Sequence, residues 1–149
     1  YRIMAIITLT SDFGTKDYFV SSVKGAILKE LADVTIVDIS HFVNPYDLSE
    51  AAYIIRNSYE EFPEGTIHII GVNALSTPLQ KPICALINGH YFICADNGIL
   101  SLICQKNEPE EKNGLRQELI TLKIFSIDQR RTFFCILFNL FIPIVYEFG

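Results

Sequence analysis

Thr8-Leu9-Thr10-Ser11-Asp12-Phe13-Gly14-Thr15-Lys16-Asp17 is the stretch on which the reading of this chain turns. It is the exit of an apolar run, Met4-Ala5-Ile6-Ile7-Thr8-Leu9-Thr10, whose character predicts a buried strand. The run passes into a polar turn containing Gly14, and a helical pattern starts by about Tyr18. Open α/β sheets place ligands where a strand ends just before a helix N-terminus. There Asp12 would stand at the carboxyl end of the strand, and Gly14 would let backbone come close to a ligand. The plainer alternative is an ordinary βα turn in which Ser11 or Asp12 does no more than cap the helix.

Working outward, Val20, Val23, Ile27, Leu28 and Leu31 recur at helical spacing, predicting a helix from about Tyr18 to Leu31. Val34-Thr35-Ile36-Val37-Asp38-Ile39 reads as a second buried strand, ending at the polar run Asp38-Ile39-Ser40-His41. Asn44-Pro45-Tyr46-Asp47 is a turn, and Asp47 or Ser49 can cap a helix over about Leu48 to Tyr59. After the loop Phe62-Pro63-Glu64-Gly65 comes a third strand, Thr66 to Val72, and then a loop from Asn73 to Lys81. Pro82–Ile87 and His90–Ala95 are predicted to pair across Asn88-Gly89, a strong hairpin signal. Asp96-Asn97-Gly98 leads into a short helix, Ile99 to Cys104. A polar connection, Gln105 to Leu115, precedes one more strand over Glu118 to Ile124.

Alternating strands and helices predict an α/β domain, a three-layer αβα sandwich around a mostly parallel central sheet. Asp12, His41, Asn73 and Asp96-Asn97 fall at successive strand ends, which such a sheet brings to one crevice. His68 lies mid-strand and reads as a buried or half-buried core histidine.

The composition narrows the function classes. With 149 residues the length suggests one domain, and 50% hydrophobic against 19% charged residues is the balance of a globular chain. A net charge of −5 leaves no basic stripe for neutralising phosphates, which argues against a nucleic-acid partner. Cys84, Cys94, Cys104 and Cys135 form no CxxC pair, so the expectation is free thiols in a reducing compartment and no metal site. No secretory signal is evident after Tyr1. The apolar tail, Phe133 to Tyr146, is broken by Asn139 and Pro143 and is shorter than the ~20 residues of a spanning helix. The expectation is a cytoplasmic protein with no membrane partner.

Taken together, several motifs resemble the S-adenosyl-L-methionine (SAM) hydroxide adenosyltransferase family, the SAM hydrolases, relatives of the fluorinating and chlorinating SAM enzymes. They are Thr10-Ser11-Asp12-Phe13-Gly14-Thr15-Lys16-Asp17 with Lys24-Gly25, Val37-Asp38-Ile39-Ser40-His41 and Asn44-Pro45-Tyr46-Asp47. Phe62-Pro63-Glu64-Gly65-Thr66-Ile67-His68 and Ala95-Asp96-Asn97-Gly98-Ile99-Leu100 follow in the family's order and spacing. The absence of a GxGxxG after the first strand sets this apart from a dinucleotide-binding Rossmann domain.

The resemblance implies attack of water or hydroxide on the 5′ carbon of SAM, giving adenosine and L-methionine, with SAM as substrate and no cofactor. It implies a homo-oligomer, a trimer in the family, with SAM held between one subunit's N-terminal domain and a neighbour's C-terminal β-barrel domain. On this basis residues 1–128 correspond to the N-terminal domain and 129–149 to a divergent or truncated tail, with the barrel absent. Asp12 is expected to accept hydrogen bonds from both ribose hydroxyls. Asp17 matches another acidic position of the SAM pocket, Tyr46 an aromatic wall of the halogenating relatives, and Asn97 completes the substrate-binding set. Tyr46 can equally be read as a loop aromatic packed on the core.

Three positions depart from the pattern. Where the hydrolases carry an aspartate and an arginine that position the attacking water, this chain has Asn73 and Gln80. The family's catalytic histidine corresponds to Phe134. Amides hydrogen-bond water but cannot serve as bases near neutral pH. The sequence therefore leaves open a hydrolase of impaired activity, a non-catalytic nucleoside-binding module and an inactive truncated homologue.

Overall fold

The structure is a computed structural model that describes residues 5–73, 82–105 and 123–126. Among the described residues six strands form one sheet: β1 (Ala5–Ser11), β2 (Val34–Ser40), β3 (Ile67–Gly71), β4 (Pro82–Ile87), β5 (His90–Ala95) and β6 (Lys123–Ser126). Three helices accompany them: α1 (Phe19–Glu30), α2 (Leu48–Arg56) and α3 (Ile99–Cys104). The strand order is β2-β1-β3-β5-β4-β6. β1 pairs in parallel with β2 and β3, and β3 with β5, whereas β4 runs antiparallel to both β5 and β6. The expected α/β sandwich with a mostly parallel sheet is present.

The alternation of side chains along the strands sorts the core into two layers. Ile7 and Leu9 of β1, with Ile67 and Ile69 of β3, pack against Val23 and Ile27 of α1. On the other face Ile70, Ala85 and Phe92 pack against Ala51 and Ile55 of α2 and Ile99 and Ile103 of α3. Leu28, expected on the apolar face of α1, is 45% exposed. It lies one residue round the helix from Ile27, which takes the sheet-facing position. Arg56 ties α2 to α3 by donating from Nη1 to the Leu102 and Gln105 carbonyls at 3.3 and 2.9 Å.

Two local sequences set boundaries. The Asn88-Gly89 turn places both residues at positive φ, 49° and 77°, which matches the right-handed twist of the β4–β5 hairpin. The helix expected to reach Tyr59 stops at Arg56. There Asn57 Nδ2 donates to the Tyr53 carbonyl (2.7 Å) and Ser58 Oγ to the Ile54 carbonyl (2.8 Å). The Asn57 side chain thus adds to its own amide on the Tyr53 carbonyl. The Ser58 hydroxyl takes the Ile54 carbonyl that a continued helix amide would use, and the Ser58 amide turns to Ile55 instead. A single 3-10 turn, Tyr59–Glu61, follows and buries Tyr59.

The Tyr59 ring meets Phe92, His68 and His90 edge-on. His68, 1% exposed, shares a 2.6 Å hydrogen bond between Nδ1 and Thr8 Oγ1, and its Nε2 lies 3.1 Å from His90 Nδ1. Burial, with a smaller contribution from His90, pushes the His68 pKa down from 6.5 to about 4.

A histidine that resists protonation in the fold lets the unfolded chain take up the proton first. Its contribution is therefore whole above about pH 6.5 and is lost as the pH falls towards about 4. Urea titrations over this interval should show an acid loss of up to about 3 kcal/mol that is flattened in His68→Phe. An equal pH slope in the variant would exclude His68 as the cause. Phe92→Ala should cost about 3–5 kcal/mol in the same titration at neutral pH.

Candidate functional site

β1 lies between β2 and β3. The chain leaves β1 towards β2 but leaves β3 towards β4 and β5, so the connections from β1 and β3 run in opposite directions across the sheet. The carboxyl end of such a strand is the topological switch point where α/β sheets bind ligands. Asp12 is the first residue beyond β1. It does not cap the following helix: the N-cap of α1 is Tyr18, which makes no side-chain cap. Instead Asp12 Oδ2 accepts from the backbone amides of Tyr46 at 3.1 Å and Asn73 at 3.4 Å.

Those two amides come from the loops that follow β2 and β3, and both residues have left-handed backbones, φ 63° at Tyr46 and 46° at Asn73. A left-handed tyrosine is an uncommon and strained conformation, and such strain concentrates at ligand sites. Among the described residues Asp12 Oδ1 takes no hydrogen bond. The half-buried carboxylate is thus fixed through one oxygen and presents the other.

Asn97 stabilises the same corner. Its Nδ2 donates to the Val72 and Asn73 carbonyls at 3.2 and 3.1 Å, and its Oδ1 accepts from the Ile99 amide at 3.2 Å. One side chain therefore joins the end of β3 to the first turn of α3. Asp47 is the N-cap of α2, accepting from the Glu50 amide at 2.9 Å, while the Glu50 carboxylate reaches back to the Asn44 amide at 2.9 Å. These two bonds, with the Asp47 amide on the Asn44 carbonyl, fix the turn from which the Tyr46 amide is aimed.

The Tyr46 side chain is 64% exposed, so it is not packed on the core. Asp17 is exposed and accepts from the Tyr18 amide at 2.6 Å. Asp12, Tyr46, Asn73 and Asn97 are thus brought together by direct contacts. Gln80, Phe134 and the tail 129–149 lie outside the described residues.

A second polar chain backs the turn on the α1 side of the sheet. Ser11 Oγ lies 2.6 Å from His41 Nδ1, and His41 Nε2 lies 2.9 Å from Asp38 Oδ1. Lys24 Nζ donates to Asp38 Oδ2 at 2.6 Å. Burial raises the Asp38 pKa, but the hydrogen bonds and charges of Lys24 and His41 outweigh it and hold the carboxyl below its ordinary value. The sequence placed His41 at a strand end without indicating its partners, since the Ser11–His41 bond spans 30 residues.

Among the described residues no cluster of three or more His, Cys, Asp or Glu could hold a metal, and no helix is long and apolar enough to cross a membrane. Cys84 and Cys94 are buried free thiols, and burial raises the pKa of both.

Comparison with known proteins gives the family of the chain. Residues 7–135 match the model of the SAM hydroxide adenosyltransferase N-terminal domain. The chain belongs to that family. Over 109 residues it is 31% identical to an (R)-S-adenosyl-L-methionine hydrolase of Methanocaldococcus jannaschii, covering 70% of this chain and 41% of the relative. Over 62 residues it is 45% identical to a fluorinase of Nocardia brasiliensis, covering 42% of this chain and 21% of that enzyme. A crystal structure of a conserved hypothetical protein from Thermus thermophilus superposes with a TM-score of 0.59 at 30% identity, covering 66% of this chain and 41% of that one. The chain thus spans about two fifths of the length of its hydrolase relative.

Asn97→Ala should lower stability by about 1–2 kcal/mol in urea unfolding, through the lost bonds to two carbonyls and one amide. Asn97→Asp keeps the acceptor for Ile99 but turns a carboxylate on two carbonyl oxygens, so it should cost at least as much. An Asn97→Asp protein as stable as wild type would show that the Nδ2 donors carry little.

Proposed function

We propose that this domain binds the nucleoside part of SAM, with the free oxygen of the Asp12 carboxylate accepting hydrogen bonds from the ribose hydroxyls. The observation that carries this reading is the seating of Asp12 Oδ2 on the Tyr46 and Asn73 amides at the switch point. A carboxylate already fixed through one oxygen loses little further freedom when it takes up a diol. Asp17 and the exposed Tyr46 ring provide the further polar and aromatic contacts, and Asn97 keeps the Asn73 loop in register for the ligand.

The reaction we propose for the whole protein is SAM hydrolysis. The oxygen of water or hydroxide bonds to C5′, the C5′–sulfur bond breaks, and its electron pair stays on the sulfur of methionine. When water attacks, its proton is released. A sulfonium leaves readily, so the protein's task is to aim and desolvate the nucleophile and to hold C5′ towards it.

A second reading, a binding module without turnover, is favoured by Asn73. Its main chain serves the site by donating to Asp12 and accepting from Asn97, while its side chain brings no charge. SAM or its nucleoside is the ligand in either case, as substrate in the first, with the homo-oligomeric arrangement of the family as the expected assembly.

Calorimetry with adenosine and with SAM, coupled to chromatography for released methionine, separates these readings. Saturable binding by wild type that Asp12→Ala abolishes is expected, and undiminished binding by that variant would overturn the ribose assignment. Slow or absent methionine release that rises in Asn73→Asp/Gln80→Arg would support the substituted-site reading. Rapid release by wild type would refute it. Tyr46→Gly retains the amide that holds Asp12, so it should weaken adenosine binding only by about three- to tenfold, the scale of one aromatic contact.

A further inference from the structure

We propose that the chain Ser11–His41–Asp38–Lys24 is a positioning relay that sets the Asp12 turn for ribose binding, with His41 its central residue. The inference rests on the nucleoside reading above and extends it to residues that do not touch the ligand.

His41 grips the turn twice. Its Nδ1 is 2.6 Å from the hydroxyl of Ser11, the residue before Asp12, and its carbonyl accepts from the amide of Gly14, two residues after Asp12, also at 2.6 Å. The Phe13 amide closes the loop by donating to Ser11 Oγ at 3.4 Å. Gly14 has φ 69°, and a β-carbon there would meet nothing within 4 Å. The glycine is therefore required by the backbone conformation that delivers its amide to His41, and not by lack of space.

The relay has a direction. With the tautomer assigned so that Nε2 donates to the Asp38 carboxylate, Nδ1 accepts from the Ser11 hydroxyl. Phe13, Ser11 and His41 then donate in sequence towards Asp38, and Lys24 donates to it from the other side. Aligned hydrogen bonds of this kind polarise one another.

The relay also spans the elements that must agree for the site to form. Ser11 ends β1, Lys24 is on α1, Asp38 is on β2 and His41 follows it. The β1–β2 ladder shifts register between Leu9 and Thr10, so Thr10 lies opposite Ser40. This irregularity sits where the strand end is re-aimed, a common use of such a shift. Ser11 and His41 are 4% and 5% exposed, whereas the Asp38 and Lys24 side chains are 39% and 34% exposed. The buried half grips the turn and the solvated half anchors it. The Tyr46 and Asn73 amides hold the Asp12 carboxylate itself, so the two devices fix the turn and its side chain separately.

The test compares wild type with Asp38→Ala, Asp38→Asn and Lys24→Met. Amide hydrogen exchange is followed by NMR at Gly14, with Ile69 of β3 as a core reference, together with adenosine affinity and Tm. Asp38→Ala should speed exchange at Gly14 and raise the adenosine Kd, each about tenfold, the scale of one charge-assisted hydrogen bond. Ile69 exchange and Tm should stay close to wild type, because the substituted side chain is half in solvent. Asp38→Asn retains an acceptor for Nε2 and should recover part of both effects. If Asp38→Ala does not fold, Lys24→Met is read by the same criteria.

Unchanged Gly14 exchange and affinity in a folded variant would overturn the relay, as would an equal rise in exchange at Ile69. If wild type binds no adenosine, the nucleoside reading fails, and Gly14 exchange alone decides the relay. If wild type binds and the variants match it in both readouts, the relay fails and the nucleoside reading stands.

Discussion

A carboxylate at the end of a central strand must keep water or be given donors, and Asp12 is given two backbone amides. They reach it from separate loops, at residues held in left-handed conformations. Backbone donors are fixed by the fold, so they orient the carboxylate without the entropy cost of ordering long side chains. Each amide is secured in turn: the Asn44–Glu50 and Asp47–Glu50 bonds set the loop carrying Tyr46, and Asn97 sets the loop carrying Asn73. The caps of α2 and the first turn of α3 thereby serve the site as well as their helices.

This arrangement depends on β1 being the strand on which the chain reverses direction across the sheet. Because β2 and β3 flank it in parallel, the loops after both arrive at the same end and from opposite sides. The two core layers keep that end rigid, α1 behind Leu9 and Ile69, and α2 with α3 behind Ile70 and Val72. Below them the buried Thr8–His68–His90 chain is satisfied internally by hydrogen bonds, at the cost of sensitivity to acid.

The elements were legible because their patterns are strong. Ile67–Gly71 is buried throughout, as an isoleucine-rich run with His68 in its middle indicates, and Asn88-Gly89 makes the turn that its composition demands. The premature end of α2 was less legible, because it depends on the Ser58 hydroxyl taking the Ile54 carbonyl rather than on hydrophobic period. At the site the sequence located the right strand ends but not the contacts across them. The sequence points to the Tyr46 ring, and the structure adds the contact of its amide with Asp12; it points to Asn97, and the structure adds the bonds from its side-chain amide to main chain. Ser11 and His41 are 30 residues apart and meet only through the register of β1 on β2, which no local pattern encodes.

In the proposed site, binding and chemistry separate at Asn73. A left-handed backbone suits asparagine, so the position can hold Asp12 while offering no charge to an attacking water. The central claim is that the free oxygen of Asp12 receives a ribose. A crystal structure of the protein soaked with adenosine tests it most directly. The account predicts density for the nucleoside at the carboxyl end of β1, with both ribose hydroxyls within about 3.2 Å of the Asp12 carboxylate. A nucleoside seated elsewhere, or an empty strand end at saturating adenosine, would contradict it.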